Sequence, residues 1–327
     1  MKVVVDDAIP YLQTPLRSIV DDVVALPSTD ITSAAVHDAD ALIVRTRTAV
    51  GASLLEGSRV CFVATATAGY DHIDTLFCQR KGIRWANAPG CNASSVCQYV
   101  ESALKLMERE DFLTLADSTI GIVGLGHVGS LVQQMSRRMG MRTLCVDPPL
   151  EATDEKGSAG PFVSLSQLVR ESDIITLHVP LMQGGPCPTH HLANKAFFAS
   201  LRRHPLFFNT SRGGVVETDA LKEALREGLI RQAVIDVWER EPLVDRELLC
   251  MARITTPHIA GYSADGKARA SQMVLDALCR AFSLPSAKAD TPPAAEEPYD
   301  VDVDSRRLKA NPDKFEFLRN HYPLRRE

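Results

Sequence analysis

Apolar strands alternate with helical stretches through the first hundred residues, at Val3–Val5, Ala41–Val44, Val60–Ala64 and Arg84–Ala86. That rhythm predicts a parallel sheet in an α/β domain. A long amphipathic helix follows over about Ala93–Arg109, with Val96, Val100, Ala103, Leu104 and Met107 on one face, and is expected to cross between domains. Asp117 to Thr119 break the helix, and Ile120–Val123 opens a second series of strands at Arg142–Val146, Ile174–His178, Leu206–Asn209, Ala233–Asp236 and Arg253–Thr255. This series predicts a doubly wound parallel sheet. Ala264–Phe282 reads as another amphipathic helix that returns to the first domain, so residues 1–98 and 262–284 flank a domain of residues 99–261. From Leu284 the composition turns to proline, alanine and acid (PSAKADTPPAAEEPYDVDVD), with too little apolar content for a core. Residues 285–327 are therefore expected to form a linker and a short arm, with Phe315, Phe317, Leu318 and Tyr322 docking as a short helix and tail.

Composition narrows the class of partner. A chain of 327 residues exceeds what one core usually spans, in keeping with two domains. The net charge of -5 argues against nucleic acid or an anionic membrane surface, which are usually recruited by a basic excess. Met1 to Asp7 turns acidic too soon for a signal peptide, and no apolar run approaches a membrane span. Eight cysteines are scattered without a C-x-x-C pair, which reads as reduced thiols in a cytoplasmic protein.

The strand at Ile120–Val123 ends directly in GLGHVG, with Gly124, Gly126 and Gly129 at the spacing of a dinucleotide-binding turn. The first glycine permits the tight turn, the second lets backbone approach a pyrophosphate, and the third lets helix and strand pack closely. The strand before and the helix Ser130–Arg138 after supply the required context, which makes this a Rossmann-type cofactor domain. His127 and Val128 lie inside the fingerprint, His127 at a solvent-facing position. Asp147, 18 residues beyond Gly129 at the end of the next strand, would accept hydrogen bonds from ribose hydroxyls and repel a 2'-phosphate. That favours NAD over NADP.

Three polar residues follow further strands: Arg212 in NTSRGG, Glu241 in DVWEREP and His258 in TPHIAG. Ligands bind at the carboxyl ends of strands in open α/β sheets. A guanidinium can grip a carboxylate through two parallel hydrogen bonds. Imidazole suits proton transfer near neutral pH, and a carboxylate on its other nitrogen fixes the tautomer. The set suits a substrate that carries a carboxylate and gains or loses a proton at the carbon exchanging hydride. Taken singly, each of these residues reads equally well as turn or surface structure. His190 and His191 have no matching ligand cluster, so no metal is expected.

The joint pattern of GLGHVG with Asp147, HVPL at His178–Leu181, NTSRGG, DVWEREP and TPHIAGY resembles the D-isomer-specific 2-hydroxy-acid dehydrogenases, over roughly Cys61 to Tyr262. The resemblance implies a flavodoxin-like substrate domain beside the cofactor domain. It also implies a catalytic trio in which Arg212 holds the substrate, His258 is acid or base, and Glu241 supports the histidine. VVVDDAIPY, ADALIVRTRT, TATAGYDHID, APGCNA and AGYSADGKARA look closer to a branch that oxidises 4-phospho-D-erythronate for vitamin B6 synthesis. By that similarity Thr46, Thr67 and Tyr262 would contact substrate, and Thr176, Thr210, Ser211, Arg212, Asp236 and Gly261 would line NAD. A phosphorylated acid needs a second anion site, for which Arg45, Arg47 and Lys267 are candidates. Arg47 and Lys267 read equally well as solvated surface charge. The residues leave open a phosphoglycerate or glycerate substrate, and a non-enzymatic NAD-sensing protein on the same fold. The branch implies a substantial carboxyl-terminal dimerisation domain, yet about 43 residues follow Leu284, so a homodimer is expected through the cofactor domain.

Overall fold

The computed structural model describes residues 1–153, 161–294 and 299–327, and the linker expectation at 295–298 lies outside the described residues. The chain divides into two compact units. The first comprises Met1–Asn92, Tyr262–Glu296 and Leu324–Glu327; the second comprises Ala93–Gly261 and Glu297–Pro323.

In the first unit, strands β1 (Lys2–Asp6), β2 (Asp22–Leu26), β3 (Ala41–Val44), β4 (Phe62–Thr65) and β5 (Arg84–Ala86) form a parallel sheet in the order β2-β1-β3-β4-β5. This is the flavodoxin order, with its switch point between β1 and β3. Apolar side chains of β1, β3 and β4 bury to both sides: Val3, Val5 and Ile43 pack with Val274, Leu275 and Leu278 of the helix Ala264–Phe282, while Val4, Leu42 and Val63 pack with Leu54, Leu55 and Phe77. Strand β2 was not anticipated. It is an edge strand whose run of four apolar residues, Val23 to Leu26, is only partly buried, Val23 the most deeply. The helix Ala264–Phe282 begins at Ser263, whose hydroxyl accepts from the Gly266 amide and caps the first turn. The last residues of the chain brace this end. Arg326 pairs in fork geometry with Asp265, Glu327 binds Arg269 and Ser263, and the Ala264 amide donates to the Arg325 carbonyl.

In the second unit, β6 (Thr119–Val123), β7 (Arg142–Val146), β8 (Ile174–Leu177), β9 (Leu206–Asn209), β10 (Gln232–Ile235) and β11 (Ile254–Thr255) are parallel in the order β11-β10-β9-β8-β6-β7. A single parallel bridge, Cys145 to Phe162, continues the sheet beyond β7. Phe162 thus stands where a dinucleotide-binding sheet carries its third strand, giving the order 3-2-1-4-5-6 with that strand reduced to one residue and β11 added as a seventh position beyond β10. The switch point falls between β6 and β8, after which the glycine fingerprint emerges.

The carboxyl-terminal expectation needs correction at one place. Val301–Ala310 is a helix, not a linker, and belongs to the second unit. It has two fully buried apolar side chains, Val301 and Leu308. The rest of its inner face is polar and hydrogen-bonded: the Ser305 hydroxyl accepts from the Thr255 amide, and Arg253 donates to Asp302. A face satisfied by hydrogen bonds does not register in apolar content. Phe315–Asn320 is a short helix with Phe315 in the core of this unit and Leu318 against it, whereas Phe317, expected to dock, is exposed.

Candidate active site

The fingerprint glycines can be tested against the space around them. Gly124 sits at φ +90, and a β-carbon there would lie 2.5 Å from the His178 carbonyl oxygen. At Gly129 a β-carbon would fall 1.9 Å from the Gly124 carbonyl oxygen, so the helix can approach the strand only without one. Gly126 faces open space, and the helix His127–Arg138 that it starts has no side-chain cap. Uncapped amides at a helix start are donors suited to a pyrophosphate. Asp147 ends β7 as expected; its carboxylate accepts from the amides of Leu125 (2.8 Å) and Leu150 (3.0 Å), so it stands directly against the glycine turn. Thr210, at the end of β9, has a buried hydroxyl with no hydrogen-bond partner among the described residues. These features fit NAD.

Asn209 closes β9 and shapes the turn bearing Arg212. Its side-chain oxygen accepts from the Ser211 amide and hydroxyl, and its side-chain nitrogen donates to the Arg212 carbonyl at 3.0 Å. The Arg212 guanidinium is half-buried and donates to the Ser211 carbonyl. Thr176 bonds His178 at 2.9 Å, and burial pushes the His178 imidazole down to about 3, so this histidine stays neutral over the working range.

Glu241 and His258 meet. His258 Nδ1 lies 2.8 Å from Glu241 Oε2, while Oε1 accepts from the Trp238 amide at 3.0 Å. Because a carboxylate can only accept, Nδ1 carries the proton, and Nε2 of the neutral ring is left with its lone pair. Burial works against ionisation of Glu241, but the His258 bond and charge, the Trp238 amide and Arg319 together hold its carboxyl below the usual range. His258 itself sits at φ +57, a left-handed conformation uncommon outside glycine. Its loop is held from below. The Asp236 carboxylate, 1% exposed, accepts from the Thr256 hydroxyl (2.6 Å) and the amides of Ile259 (2.7 Å) and Ala260 (2.9 Å). Tyr99, buried in the helix Ala93–Arg109, reaches Thr256 at 2.7 Å, and the Trp238 indole donates to the Thr256 carbonyl. Asp236, expected to line NAD, is through these bonds also the anchor of the histidine loop. Tyr99 and Thr256 were missed, since nothing in a helical apolar face or a strand-end threonine marks a buried relay.

In the first unit Arg45 and Lys267 come together. Arg45 binds the buried Asp6 through Nε and Nη2, both at 3.1 Å. Lys267 is half-buried over the Tyr262 ring at 5.0 Å and has no ion-pair partner among the described residues. Burial and the nearby Arg45 charge lower its pKa. Thr67 bonds Thr65 at 2.7 Å and donates to the Gly69 carbonyl, and Thr46 and Arg47 are exposed on the loop after β3. His127 is exposed, as is His190, stacked on His191; His191 pairs with Glu239 at 2.7 Å. No group of metal-holding side chains occurs among the described residues, nor a helix long and apolar enough to cross a membrane. All eight cysteines are unpaired.

Known proteins share this fold and cofactor domain. Residues 97–260 match the family described as D-isomer specific 2-hydroxyacid dehydrogenase, NAD binding domain. An erythronate-4-phosphate dehydrogenase of Bacteroides thetaiotaomicron is 50% identical over 341 aligned residues, covering 100% of this chain and 97% of that protein. One from Azotobacter vinelandii is 40% identical over 358 residues, covering 100% and 93%. Among solved structures, the D-lactate dehydrogenase of Aquifex aeolicus, complexed with NAD and lactic acid, superposes with a TM-score of 0.70 at 25% identity, covering 86% of this chain and 95% of that one. Coverage of the Bacteroides protein is nearly complete, so the short carboxyl-terminal segment does not set this chain apart from that relative.

Proposed function

The chain belongs to the D-isomer specific 2-hydroxyacid dehydrogenase family, and from that premise we propose that it oxidises 4-phospho-D-erythronate to 2-oxo-3-hydroxy-4-phosphobutanoate, a step of vitamin B6 synthesis. NAD is the cofactor and, when bound, would supply the acceptor for the hydride leaving C2. The observation that carries the chemistry is the 2.8 Å bond from His258 Nδ1 to Glu241, which leaves Nε2 free to take the C2 hydroxyl proton. Glu241 then stabilises the imidazolium, and Arg212 holds the substrate carboxylate. In reduction the imidazolium returns the proton.

The substrate phosphate is assigned to Arg45 and Lys267, with Thr46, Thr67 and Tyr262 contacting the rest of the acid. A half-buried ammonium that lacks a carboxylate partner and feels a second cation is costly unless an anion completes it. The enzyme is assigned to the cytoplasm as a homodimer. Initial rates on 4-phosphoerythronate, 3-phosphoglycerate and glycerate test the substrate; a preference for the unphosphorylated acid would sink the phosphate assignment. His258→Ala is expected to bind NAD and lose turnover, and undiminished turnover rejects the role of His258.

A further inference from the structure

We propose that Arg319, carried by the carboxyl-terminal arm, is a positioning residue that tunes the proton affinity of His258 through Glu241. The inference rests on His258 being the base. Arg319 Nη1 lies 3.9 Å from Glu241 Oε2, the same oxygen that receives His258 Nδ1. The other carboxylate oxygen is occupied by the Trp238 amide, so proton and guanidinium share one atom.

Arg319 is not a roaming surface charge. Its side chain is 17% exposed, and its helix is pinned by Phe315, buried in the core, by Leu318 packed against that core, and by Tyr322, which donates to Asp304 at 2.6 Å. Other charged or titratable groups also face this corner. Glu316 approaches Arg319 to 3.9 Å, Asp304 and Arg307 pair at 3.5 Å on the neighbouring helix, and His321 lines the same 230 Å³ cavity as Pro257. Asp236 is turned toward the loop amides.

A lone carboxylate on Nδ1 pulls imidazole toward the charged form. A fixed cation on that carboxylate opposes the pull, leaving Glu241 able to orient the ring while His258 stays unprotonated at a lower pH. A hydride-releasing oxidation needs that neutral ring. The arm thereby widens the pH range over which the base is ready.

The test is the acid limb of kcat/KM for oxidation, measured on the full chain. Arg319→Gln should move the limb up by about half a pH unit, and Arg319→Lys should leave it in place. Glu316→Gln, at a more exposed site, should move it down by less. A general loss of rate with the limb unmoved in all three variants overturns the proposal and leaves Arg319 merely structural. His258→Gln, run alongside, separates the two levels: retained turnover there brings down the assignment of the base itself.

Discussion

Asp236→Asn is the most informative single change, because the buried carboxylate it alters serves three donors at once. Asparagine keeps the shape and one acceptor oxygen, which can still face the Thr256 hydroxyl and the Ile259 amide. The amide nitrogen would then oppose the Ala260 N–H, which loses its partner. An unsatisfied buried N–H costs about 1–3 kcal/mol, and the two surviving bonds each lose roughly 1 kcal/mol of charge assistance. Easier desolvation of a neutral group offsets part of this, leaving about 2–4 kcal/mol. In a unit of this size that lowers the unfolding midpoint by on the order of 10 °C, which calorimetry resolves. Since His258 depends on these bonds to hold φ +57, displacement of Nε2 by an ångström should lower kcat by about a hundredfold. NAD affinity, measured by NADH fluorescence titration, should change far less. An unmoved midpoint together with weakened NAD binding would refute the anchoring role and put Asp236 on the cofactor.

Other expectations follow from the same geometry. Gly129→Ala forces a β-carbon onto the Gly124 carbonyl, so NAD affinity and stability should fall together in titration and melting experiments. Lys267→Ala should raise KM for 4-phosphoerythronate by about ten- to a hundredfold while hardly changing turnover of an unphosphorylated acid; equal effects on both would refute the phosphate role. Asp147→Ser removes the carboxylate beside the glycine turn, and should admit NADP while raising KM for NAD in initial-rate assays. Glu241 has a lowered folded-state pKa, so the stability it contributes is full above the ordinary carboxyl pKa and is lost as pH falls through the lower folded value. In urea titrations Glu241→Gln should therefore flatten the acid loss of stability that begins below about pH 5.

Most of this was legible because it is local. The interior strands announce themselves as apolar runs, and the fingerprint is readable as a spacing in which Gly129 meets the Gly124 carbonyl, although the His178 carbonyl that excludes a β-carbon at Gly124 comes only after β8. Arg212, Glu241 and His258 lie just beyond strand ends, which is readable from spacing. Strand β2 carries a legible apolar run, Val23 to Leu26, but one only four residues long and only partly buried at the sheet edge. The helix Val301–Ala310 was hidden because its inner face is half polar, and the partners that satisfy it lie about fifty residues away in sequence. Distance likewise concealed Tyr99, whose hydroxyl meets a threonine 157 residues away, and Arg319, which acts on Glu241 only after the arm has docked.

The path of the chain has a consequence for biosynthesis. The first unit draws on three separate segments and the second on two, and Arg326 and Glu327 tie down the helix start that also bears Lys267. Vectorial synthesis therefore releases neither unit in finished form until almost the whole chain has left the ribosome. Sheets can assemble early, but their final closure is post-translational, with apolar surface on both nascent units exposed to chaperones meanwhile.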